Sequence, residues 1–150
     1  MRAHWPSKSR VVRRREDEGR KRKRRNPSGL EDAVSEYVIL IYDAEEPYAS
    51  FTPELWREVA ESHRRFAEQV VERCGAVVSS RVLQPTASAA SFRDGVATES
   101  PFVQTPEAFC GFYLIDATDD QHAREIAALC PAKFGGVEVR PVRPSPVKES

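Results

Sequence analysis

His63 lies within a run whose apolar residues Leu55, Trp56, Val59, Phe66, Val70 and Cys74 recur every three or four positions. It falls four residues after Val59 and three before Phe66, so a helix with that period turns it toward whatever the apolar stripe covers. A neutral imidazole held there beside a carboxylate can take or give a proton near neutral pH, a contribution of about 10² to 10⁴ in rate. The competing reading is a core histidine whose ring is satisfied by a backbone carbonyl or a water. Arg81 offers a guanidinium either to an anionic ligand or to a salt bridge with one of the 20 acids downstream of Gly29. Tyr42, Asp43 and Tyr113 fall in or at the ends of apolar runs and border any pocket near His63, with Tyr42 and Tyr113 read as substrate-binding. Phe102 is a further ligand contact or else a core ring, and His122, off the stripe of its own helix, reads as solvated.

Other chemistries find little support in the residue spacing. Cys74, Cys110 and Cys130 are odd in number, widely separated and set in apolar surroundings, so they read as free, buried thiols of a reducing, cytoplasmic compartment. His4, His63 and His122 form no H-x-x-x-H spacing and the cysteines no C-x-x-C, so no metal site is expected. No phosphate-cradling glycine loop, dinucleotide fingerprint or nucleophile-plus-base arrangement occurs, and no cofactor is expected.

The elements that must position these side chains are marked locally. Tyr37 to Tyr42 (YVILIY) is a continuous apolar run, which predicts a strand buried on both faces. Thr52-Pro53-Glu54 supplies an N-cap, a proline in the first turn and an early acid, and Gly75 is read as the left-handed residue that ends the helix. Ala76 to Leu83 predicts a second strand. Gln84-Pro85-Thr86 breaks it, and Ala89 to Phe92 with Val96 to Thr98 make a hairpin about Arg93-Asp94-Gly95. Thr105-Pro106-Glu107 repeats the earlier capping pattern and is expected to start a short helical turn. Phe112 to Asp116 predicts a further strand. Thr118 and Gln121 match a capping box for a helix with Ala123, Ile126, Ala127 and Cys130 on one stripe, stopped by Pro131. Gly135-Gly136 reads as a turn into a last strand, Val137 to Arg140.

Two β-α-β units with right-handed crossovers define an α+β, ferredoxin-like mixed sheet with both helices on one face. Successive strand residues point to opposite faces, so Val38, Ile39, Leu40 and Ile41 cannot all meet the helices, and Phe112 to Ile115 repeat the problem. Each large apolar side chain left in water forgoes roughly 1.5 to 3 kcal/mol. A second copy packed sheet against sheet covers the other face and gives a homodimer; a lid made from residues 85–110 is the alternative.

The chain has 150 residues and no net charge, but its charge is unevenly spread. Residues 1–29 hold 12 Lys plus Arg against 3 acids, and residues 30–150 hold 11 against 20. Residues 1–34 are therefore expected to be a disordered basic arm, 35–143 the folded domain and 144–150 a flexible tail. The arm lacks interleaved aromatics, so nucleic-acid binding is only a weak expectation. Because the core begins abruptly at Ser35, initiation at a Val34 codon is a hypothesis that native N-terminal sequence containing Arg13 to Arg25 would refute. No apolar run approaches the roughly 18 residues needed to span a bilayer, and no membrane association is expected.

From residue 37 to residue 142 the chain resembles the YCII-related family, specifically its DGPF subgroup. The resemblance is carried by YVILIYDAEEP, by Trp56 and His63 to Phe66, by Leu83-Gln84-Pro85, by Arg93-Asp94-Gly95, Pro101-Phe102, Glu107, Gly111 and Tyr113, and by Cys130-Pro131 and Val137 to Pro141. It implies a ferredoxin-like dimer of the α/β-barrel type and a pocket lined by His63. Glu99 stands where the subgroup has its motif aspartate, one methylene longer and followed by Ser100 instead of glycine, and the motif makes it the candidate carboxylate partner of His63. Two functions follow as expectations. One is a cofactor-independent acid/base enzyme, isomerase- or lyase-like, acting on a small organic substrate through His63 and Glu99. The alternative is a non-catalytic metabolite-binding or accessory protein that meets a regulatory partner in sigma-factor control.

Overall fold

A computed structural model of the chain describes residues 31–146 and the short segment Lys23–Arg25. Most of the arm expected to be disordered, and the tail from residue 147, lie outside the described residues. The parts of the arm inside them are Lys23–Arg25 (β1) and Glu31–Ala33 (β2), which pair antiparallel and lead into the domain.

Ser35–Ala44 (β3) shows the consequence of an apolar run in a pleated strand. Tyr37, Ile39, Ile41 and Asp43 are buried on one face, while Val38, Leu40 and Tyr42 are half-buried on the other. Pro53–Glu72 (α1) follows, its N-cap Thr52 accepting the Leu55 N–H at 3.3 Å. Then come Ala76–Val82 (β4), the hairpin Ser91–Arg93 (β5) and Val96–Thr98 (β6), Glu107–Ala117 (β7), Asp120–Ala127 (α2) and Gly135–Pro141 (β8). The main sheet runs β4-β7-β3-β8 with every neighbouring pair antiparallel. The parallel strands joined through each helix are thus separated by one strand, which is the ferredoxin-like α+β arrangement. Phe66 and Val70 of α1 and Ala123, Ile126 and Ala127 of α2 enter one core with Tyr37, Ile39, Ile41, Tyr113 and Ile115, so both helices cover the same face. Among the described residues no helix is long and apolar enough to cross a membrane.

Several local expectations are corrected. The left-handed residue after α1 is Cys74, with φ +60°, and not Gly75. Gly75 is required for space, since a Cβ there would lie 2.8 Å from Ile126 Cδ1 and 2.9 Å from Val70 Cγ1. Gly135 and Gly136 belong to β8 itself, where a Cβ on Gly135 would lie 2.1 Å from the Tyr42 carbonyl oxygen. Thr105-Pro106-Glu107 starts no helix: Glu107 is the first residue of β7 and pairs with Ala44. The N-cap of α2 is Asp119, which accepts the His122 N–H at 2.8 Å, one residue later than the Thr118 capping box. His122 is not simply solvated. Its Nδ1 accepts the Thr118 backbone N–H at 3.0 Å, so a neutral ring carries its proton on Nε2, which donates to the Arg73 carbonyl at 2.6 Å.

Candidate site between helix α1 and the sheet

The period of α1 brings His63 over the central strand β7, and Tyr113 comes up to meet it from the helix-facing side of that strand. His63 Nδ1 and the Tyr113 hydroxyl are 2.8 Å apart, with the rings near-parallel at 19° and 6.0 Å between centroids. Phe66 presses its edge on Tyr113 at 4.9 Å, so the phenol is held from two sides by α1. Tyr113 is 8% exposed, and burial pushes its hydroxyl well above the usual phenol range, keeping it protonated. Burial also holds His63 below the ordinary imidazole value, and the Asp43 carboxylate pulls it part of the way back. The ring is therefore neutral near pH 7 and able to accept a proton.

Asp43 is 6% exposed at the far end of β3. Its Oδ1 accepts the backbone N–H groups of Ala44 at 3.0 Å and Phe134 at 2.8 Å, and its Oδ2 accepts the Tyr48 hydroxyl at 2.5 Å. Three donors compensate for burying the carboxylate. They also tie three segments together: the end of β3, the short 3₁₀ turn Glu46–Ser50 and the loop before β8. Above Asp43 sits an aromatic group in which Tyr48 stacks on Trp56 at 5.5 Å and 26°, Phe51 lies 4.7 Å from Tyr48, and Phe134 lies 5.2 Å from Tyr48. Cys110 and Cys130 lie close by. Burial raises their thiols to about 11 and about 12, so neither supplies a thiolate at neutral pH.

The remaining candidates are spread more widely. Arg81 is paired with Phe112, whereas Ser80 is paired with Tyr113, so Arg81 lies on the face opposite His63; it is exposed, and its Nη1 donates to the Ser80 carbonyl at 2.6 Å. Tyr42 alternates with Asp43 onto that same opposite face and packs on Phe109 at 5.8 Å. Phe102 is 62% exposed, with the Arg93 guanidinium 4.7 Å above its ring. Glu99 is exposed on the wall of an open cavity of about 540 Å³, together with Glu45, Thr86, Ser100, Thr105 and Ala108. Glu45 holds the loop there by accepting Thr86 N–H at 2.7 Å and its hydroxyl at 2.6 Å. Ala108 on that wall is the cross-strand partner of Asp43, so the cavity opens at the same end of the sheet. His63 and Tyr113 are thus brought together, and Asp43 is the carboxylate whose charge acts on His63. Nothing in the sequence marks Tyr48 as a site residue except the aromatic spacing Tyr48, Phe51, Trp56.

The site is thus a histidine–tyrosine pair held between a helix and the central strand of a ferredoxin-like sheet. The family model for the YCII-related domain matches residues 35–146, and the chain belongs to that family. It is also 30% identical over 118 residues, 71% of this chain and 90% of the relative, to an uncharacterized protein of Rhizobium meliloti (strain 1021).

Proposed function

We propose that the domain is a cofactor-independent acid/base catalyst, isomerase- or lyase-like, acting on a small organic substrate, with His63 as the proton-transfer group. The observation that carries this reading is the 2.8 Å contact between a neutral His63 and a phenol kept protonated by burial. A base that abstracts a proton beside a donor that can stabilise the developing negative charge is the minimal machinery for moving a double bond or expelling a leaving group. Glu99 contributes a second carboxylate from the wall of the adjoining cavity, and the loop Glu99-Ser100-Pro101-Phe102 is what supports the DGPF-subgroup reading. Three free thiols fit a reducing cytoplasmic location.

The protein acts as a homodimer in this reading. Val38, Leu40, Phe112 and Leu114 sit half-buried on the face that neither helix covers, and a second sheet packed there removes them from water. Arg81 and Tyr42 then border the space between the subunits, where Arg81 is placed to meet an anionic group, and Phe102 is an exposed apolar contact for ligand or partner. Sedimentation at micromolar concentration should give twice the chain mass; a stable monomer rules the dimer out.

The alternative is a non-catalytic, metabolite-binding or accessory role with a regulatory protein partner, and the burial of the Tyr113 hydroxyl favours it, because a satisfied pair can also be purely structural. Proton abstraction leaves a signature that binding does not. In D₂O, a panel of small lactones and keto acids should exchange C–H for C–D in the presence of the protein. His63→Gln should slow that exchange on the order of 10² to 10⁴ with the fold intact. Exchange unaffected by His63→Gln removes the catalytic reading.

A further inference from the structure

Resting on the acid/base reading of the same site, we infer that Lys133 anchors a carboxylate on the substrate, so that the ligands of the site are small planar acids. Lys133 is the sole lysine between residues 30 and 147, in a stretch where acids outnumber bases. Its ammonium lies 5.4 Å from the centroid of Phe51 and 5.8 Å from that of Phe134, over ring faces that hold a cation by their quadrupoles. Lys133 is exposed, and among the described residues it makes no ion pair. Asp43 is not its ion-pair partner; the Asp43 oxygens accept instead from Ala44, Phe134 and Tyr48.

The position is tied to the chemistry through the backbone. Phe134, next to Lys133, donates its N–H to Asp43, and Asp43 is the carboxylate that acts on His63. Phe51 and Phe134, the rings under the ammonium, both pack on Tyr48, which stacks on Trp56 at 26°; Tyr48 and Trp56 are half-buried, so part of this aromatic group is reachable from solvent. A flat body on those rings with its negative end at Lys133 uses each of these features. A neutral ligand leaves the unpaired ammonium unused. A cationic ligand meets it as a like charge.

Benzoate and its neutral isostere benzamide separate the possibilities. In the full-length chain with Trp5→Phe, Trp56 is the remaining tryptophan and reports occupancy by fluorescence. Benzoate should bind about tenfold or more tightly than benzamide, the size expected for one charge-assisted contact. Lys133→Met, which keeps the aliphatic stem over the rings, should bring benzoate down to the benzamide level and leave benzamide unchanged. Lys133→Arg should restore the preference. If both probes bind equally, or if Lys133→Met binds benzoate like the parent, the anion anchor is wrong while the pocket stands. If neither probe perturbs Trp56 or the His63 ring resonances, the anchor and the acid/base pocket fall together.

Discussion

The Tyr113 hydroxyl and His63 Nδ1 are 2.8 Å apart across the interface between α1 and β7, and each group's ionisation is displaced by the burial they share. Tyr113→Phe removes the hydroxyl and leaves the packing of Phe66 on the ring. Stability should fall by about 1 kcal/mol, the usual net worth of one such bond. The chemical-denaturation midpoint should drop at unchanged slope, and any His63-dependent exchange should slow more than the stability loss explains.

Acid should destabilise the domain through His63. Its folded-state value lies below the ordinary value of about 6.5 expected for the unfolded chain, so the unfolded state takes up the proton first. This contribution is therefore intact above about pH 6.5 and is lost as pH falls from there toward the lower folded-state value. Denaturation midpoints measured across that range should slope downward toward acid, and His63→Gln should flatten that part of the slope.

His122 joins the two helices. Its Nδ1 is held by the Thr118 N–H and its Nε2 by the Arg73 carbonyl at the end of α1. His122→Ala strips the partner from both backbone groups and should destabilise by about 1 to 2 kcal/mol, read from urea denaturation. No change would mean that water replaces the ring without loss.

Cys74 occupies a left-handed conformation, φ +60°, that a side chain tolerates poorly. Cys74→Gly should therefore raise stability, by about 1 kcal/mol, in the same denaturation assay. A loss on this substitution would show that the thiol packs usefully at the turn.

What could be read from the sequence was what is local. YVILIY made one strand and the Leu55 to Val70 stripe made one helix because periods of two and 3.6 are set by neighbouring residues. The same stripe aimed His63 at the sheet. The two Thr-Pro-Glu triplets read alike, yet only Thr52-Pro53-Glu54 caps a helix; Glu107 is drawn into the sheet by pairing with Ala44, 63 positions earlier. The face taken by Arg81 depends on an irregularity between Val77 and Ser79 that shifts the alternation by one residue, and no local pattern announces it. Asp43 reaches Phe134 across 91 positions, so its bonds belong to tertiary structure alone.

The most direct test is the ionisation of the His63 ring followed by ¹⁵N NMR in the native protein and in Asp43→Asn. A neutral imidazole at pH 7, titrating below the ordinary histidine value and moving lower still when the Asp43 charge is removed, is the expected result. A His63 that titrates at or above the ordinary value and ignores Asp43→Asn would contradict the account.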